Sequence, residues 1–106
     1  MATIRENLVN AINDLNKLLL IAETDAQRAQ IRIDRLALYR QLEDVIFAEL
    51  NHQDEDVKAA LEEVESLAGL ADEAKRDIQK IEKLFKKVAK AVKAIEKAVK
   101  AAGKIL

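Results

Sequence analysis

From Val57 to Ala102 apolar residues recur at alternating steps of three and four without a slip: Val57, Ala60, Val64, Leu67, Ala71, Ala74, Ile78, Ile81, Phe85, Val88, Val92, Ile95, Val99 and Ala102. Only a helix turns residues at that spacing onto one side, so half the chain is committed to a continuous apolar seam of the coiled-coil kind. Chain breakers are scarce, with two glycines and no proline in 106 residues. Gly69 lies off the seam and costs about 1 kcal/mol relative to alanine, too little to end a helix held by packing. A β-rich fold is excluded. Along the tail, Leu84, Ala89, Ala91 and Ala98 flank the seam and widen the apolar face. Small flanking residues admit neighbours from both sides, which suits a bundle of about four helices.

The first half is helical by the same argument. Thr3 and Glu6 form a capping-box pattern, and Ile4, Leu8, Ala11, Leu15, Leu18 and Ala22 form the seam behind it. An extra step of four then carries that seam to Ala26, Ala29, Ile33 and Leu36, with Tyr39, Leu42, Val45, Ile46 and Leu50 continuing it. Such a stutter shifts the phase of a seam without ending the helix. Thr24 or Asp25 offers a cap for a fresh start, but the expectation is one helix with a bend. Asn51 to Asp54 is the most polar interruption, and Asp54, Glu55 and Asp56 suit a helix N-terminus. The predicted fold is therefore all-α: one domain, 1–106, with helices over 3–51 and 54–104 in an antiparallel hairpin. Each helix is roughly 70 to 75 Å long at 1.5 Å per residue. Two such helices bury only a narrow seam, so the hairpin is expected to assemble into a four-helix or larger bundle of copies. The alternative breaks at 23–25 and near Gly69, giving a compact monomeric bundle of four short helices.

Charge is segregated. The net charge is -1, yet residues 43–77 carry twelve acidic groups against three basic ones, and residues 78–106 carry nine lysines against two glutamates. The simplest reading is that the two stretches neutralise each other, within one chain or between copies.

The chemical inventory is thin: one histidine, one tyrosine, one serine (Ser66), two threonines and no cysteine. No nucleophile, base and orienting group assemble from it, so no enzyme activity, small-molecule substrate or cofactor is expected. Glu49 and His52 have the Glu-x-x-His spacing that di-iron helical bundles use, but a second such unit and two more glutamates are missing; a turn histidine in water is the plainer reading. Asn7, Asn10, Asn13 and Asn16 are three apart, either a hydrogen-bonding ladder or a solvated face.

Every lysine of the tail lies opposite the seam, among them Lys83, Lys86, Lys87, Lys90, Lys93, Lys97 and Lys100. The absence of base-stacking aromatics there and the slightly acidic whole argue against nucleic acid. The segment Ile81-Glu82-Lys83-Leu84-Phe85-Lys86-Lys87, with Ile95-Glu96-Lys97 beyond it, resembles cationic amphipathic membrane peptides of the cecropin type over roughly the last quarter of the chain. It departs from them in lacking tryptophan. The resemblance implies contact with an anionic membrane surface, and a helix that leaves a soluble bundle to enter lipid. The longest apolar run, Leu18 to Ala22, is far too short to span a bilayer, and the N-terminus has no export-signal pattern, so the default expectation is a soluble, cytoplasmic chain. The functional expectation is a non-catalytic structural or interaction module that self-associates through apolar helix faces, with Ile78, Ile81, Phe85, Val88, Val92, Ile95 and Val99 as interface. The alternative is a membrane-active helical protein using the cationic tail.

Overall fold

The computed structural model describes residues 3–48, 50 and 53–103. It contains α1 (Ile4–Ile21), α2 (Asp25–Phe47), α3 (Glu55–Arg76), a single 3-10 turn at Ile78–Lys80 and α4 (Ile81–Gly103). The chain is an all-α four-helix bundle of the compact form, measuring 45 × 23 × 18 Å. The long hairpin is not formed, because both predicted helices fold back on themselves.

The first break lies where Thr24 offered a cap. Its hydroxyl accepts from the Gln27 amide at 3.0 Å while the Gln27 side chain accepts from the Thr24 amide at 3.3 Å, a complete capping box. Such a cap stabilises a helix start by about 1 kcal/mol. The second break is at Asp77, which is extended (φ -140, ψ 97) and accepts from the Gln79 amide. Gly69, the expected site of this break, sits inside α3. Nothing lies within 4 Å of a methyl group built on Gly69. Gly69→Ala should therefore raise stability by roughly 0.5 to 1 kcal/mol, read as a higher urea midpoint; a lower one would show that the space above it is not open.

Folding back lets four seams converge where the hairpin offered two. α1 packs on α2 and α3, and α4 packs on α3 and α2, leaving α1 opposite α4 and α2 opposite α3 across the diagonals. Pairing is in step: Lys75 of α3 reaches Asp14 of α1, Gln41 of α2 reaches Glu96 of α4, and Lys97 of α4 reaches Asp56 of α3. The chain thus runs up, down, up, down. Thr24 and Gln27 share a surface depression with Glu82 and Phe85, so the α1–α2 and α3–α4 turns stand at the same end. Thr3, Glu6, Val45 and Leu50 come together at the other. Asp54 caps α3 as its sequence suggests, accepting from the Asp56 and Val57 amides.

The core holds Leu8, Leu15, Leu18, Ile31, Leu38, Val64, Leu67, Ile81, Leu84 and Ile95, all fully buried. Each such side chain is worth about 1.5 to 3 kcal/mol relative to exposure. Alanines 11, 60, 71, 74, 91 and 98 fill the close approaches between helices.

In α3 the expected seam is the buried one, Val57 through Ala74. In α4 it is turned. Ile81, Val88 and Ile95 are buried, but their partners are Leu84, Ala91 and Ala98 from the flank, while Ile78, Phe85, Val92 and Val99 are half-buried. The residues assigned to an interface between copies are thus divided between this chain's own core and its margin.

Candidate interaction surface

Helix α2 is built unlike the other three. Its inward face repeats at three and four as Ile31, Asp34, Leu38, Gln41 and Val45, so two of the five are polar. Asp34 is only 6% exposed. Its Oδ1 accepts from Gln30 Nε2 at 2.9 Å, and its Oδ2 has no hydrogen-bond partner. Burial pushes its carboxyl up from 3.8 to about 6, against the smaller downward pull of the Gln30 bond. One heptad on, Gln41 Nε2 approaches Glu96 Oε1 at 3.5 Å and its own Oε1 is unpartnered. A buried polar atom without a partner costs about 1 to 3 kcal/mol.

The outward face of α2 carries what the inward face lacks. Ala26, Ala29, Ile33 and Leu36 lie along one strip, which Arg40 and Glu43 interrupt before Phe47, with Tyr39 and Ile46 beside it, and all are exposed. Ile33 is 60% and Phe47 86% exposed. Periodicity assigns Ala26, Ala29, Ile33, Leu36, Tyr39 and Ile46 to the core, and these are exposed, whereas Leu42, Val45 and Leu50 of the same predicted seam are half-buried against the core. A single exposed leucine is ordinary, but several exposed apolar side chains gathered on one side of a helix mark an interface. At the neighbouring end of α1, Leu20 adds another side chain 86% exposed.

The cationic helix presents its lysines as expected. Lys83, Lys86, Lys90, Lys93, Lys97 and Lys100 are exposed, and Lys87 is half-buried. Lys87 Nζ meets Glu63 Oε2 at 3.0 Å, Lys97 meets Asp56 at 3.6 Å and Lys80 meets Glu73 at 3.4 Å. The acidic and basic stretches neutralise each other across the α3–α4 interface of one chain. Each surface pair contributes little alone, but the pairs set which helices lie together. The apolar side of α4 is bundle core, so lipid contact through that side requires the helix to leave the bundle.

The asparagines divide. Asn7 is buried and donates to the Thr3 carbonyl, Asn16 accepts from Arg35 Nη1 at 2.8 Å, and Asn10 and Asn13 line an open groove between α1 and α3, about 520 Å³, with Glu65, Gly69 and Asp72. There Lys75 bonds Asp14 at 3.1 Å, and the two carboxylates around it, Asp14 and Asp72, hold its amine above its ordinary pKa. Glu49 and His52 lie outside the described residues; among those described, no group of three or more His, Cys, Asp or Glu side chains is placed to hold a metal. Among them too, no helix is long and apolar enough to cross a membrane.

The fold and this surface define a class, a compact all-α bundle with one helix apolar on two sides. Compared with known proteins, the chain matches no family model, no curated protein and no solved structure.

Proposed function

We propose that the protein is a non-catalytic, self-associating helical module whose contact element is α2 and whose partner is a second copy of the same chain. The observation that carries this is the inverted make-up of α2, with Ile33, Leu36 and Phe47 exposed and Asp34 and Gln41 buried. A helix that is apolar on two sides belongs to the interior of an assembly larger than one bundle. One feature favours a like partner: from Ala26 to Leu36 the exposed strip repeats the three-and-four spacing of this chain's own core seams.

Light scattering over a concentration series tests the reading. The native chain should gain mass toward a dimer, and Leu36→Glu, on an exposed position harmless to the monomer, should lower the association constant at least tenfold. A native chain that stays monomeric into the millimolar range would overturn it.

A further inference from the structure

Resting on that reading, we infer that association proceeds by opening the bundle: α1–α2 and α3–α4 each join into one continuous helix, and two such hairpins pair antiparallel and exchange halves. Three independent features point to it.

The first is phase. Carried through residues 22–24 as unbroken helix, the buried seam of α1 (Leu15, Leu18, Ala22) continues to Ala26, Ala29, Ile33 and Leu36. Those α2 residues are exposed in the bundle. A joined helix therefore turns α2 about its axis, bringing Ile33 and Leu36 inward and returning Asp34 and Gln41 to water. Across Asp77 the seam of α3 continues in phase to Ile78, Ile81, Phe85, Val88, Val92, Ile95 and Val99, of which the bundle buries Ile81, Val88 and Ile95 and leaves the other four half-buried. Two separate helices joined by a turn have no reason to share a phase.

The second is the break points. Neither contains glycine or proline, each is held by a side-chain cap, and both stand at the same end of the bundle. Opening there extends both helices in one direction.

The third is topology. In an antiparallel pair of long hairpins, α1 and α4 of one copy lie beside α2 and α3 of the other. Their directions are up and down for the first two, down and up for the second two, the same set as in the bundle. The interfaces α1–α2, α1–α3, α2–α4 and α3–α4 are then all made between copies, and the acidic α3 meets the partner's lysine-bearing α4. Exchange of this kind keeps which helices pair and in which direction, while α2 is turned within those pairings.

Asp25→Pro is the decisive variant. Residue 25 is the first of α2, where proline is favoured, and Thr24 before it is extended (φ -131, ψ 158), as a residue preceding proline must be. The bundle accepts the change; a helix running through 21–25 does not, because it loses a hydrogen bond and meets a steric clash. The expected result is a native circular dichroism spectrum with the dimer association constant lowered at least tenfold. Thr24→Ala, which removes the cap, should raise it several-fold. Spin labels at Arg5 and Glu43, in doubly labelled chains diluted with unlabelled protein, report the same change. The two sites are at one end of the bundle, and their separation in a joined helix is roughly 57 Å at 1.5 Å per residue. If Asp25→Pro dimerises as tightly as the native chain, or the labels stay close in the dimer, exchange is wrong and self-association by intact bundles stands. If the native chain forms no dimer, both readings fall.

Discussion

Ile95→Asp should unfold the bundle at ordinary temperature, whereas Val92→Asp should leave it folded. Both residues belong to the tail's three-and-four seam, but Ile95 is fully buried and Val92 only half-buried. Removing a buried isoleucine costs about 2 to 5 kcal/mol, and an aspartate in its place adds the cost of a polar or charged group without a partner, several kcal/mol more. A domain of this size has roughly 5 to 15 kcal/mol in hand, so the sum is comparable with the whole. At Val92 the carboxylate has a route to water, and a loss of about 1 to 2 kcal/mol is expected. Circular dichroism against temperature separates the cases: no cooperative transition above about 25 °C for the first variant, and a shift of roughly 5 to 15 °C for the second. Equal damage would mean that α4 buries its whole seam alike, as the spacing alone suggests.

The second large effect is at Asp34. Its carboxyl is raised to about 6 in the folded chain against 3.8 when unfolded, chiefly by burial. Between those values the native state holds the proton more tightly, so stability falls as pH rises. The favourable contribution is complete below about pH 4, declines through pH 4 to 6 and is absent at pH 7. Two pKa units correspond to about 3 kcal/mol, an order-of-magnitude figure. Asp34→Asn keeps the size and the polarity and removes the titration. It should therefore be more stable than the native chain by about 2 to 3 kcal/mol at pH 7 and nearly equal to it at pH 4. Urea unfolding of both chains at the two pH values isolates this group, because every other carboxylate is common to both. The same difference at pH 4 and pH 7 would show that Asp34 is not charged at a cost in the fold.

Much of this architecture was legible in the residues. Thr3 and Asp54 announce helix starts because a short side-chain oxygen before an apolar run satisfies free amides, a purely local matter; Thr24 offers the same cap, but the seam running on past it favours an unbroken helix. Val57 to Ala74 reads as a buried face because a three-and-four repeat on a helix with charged flanks has one apolar side. The outward lysines of α4 follow from the same geometry. The candidate surface was half legible: Ile33, Leu36 and Tyr39 stood out as a seam, but nothing in their spacing says whether a seam faces the chain's own core.

Two things were decided only by the tertiary structure. The turn at Asp77 interrupts a pattern that runs through it in perfect phase, so periodicity is silent there; what ends α3 is the gain from folding α4 back onto α3 and α2. The rotation of α2 is the other. With apolar residues on two sides, its own sequence does not choose between burying Ile33 and Leu36 or burying Ile31 and Leu38 together with Asp34 and Gln41. Starting the helix afresh at Thr24 sets its phase free from that of α1, and packing against α1 and α4 then selects the second face. Local side chains determine where a helix can begin and which residues share a side, but which side goes inward is a competition between whole interfaces.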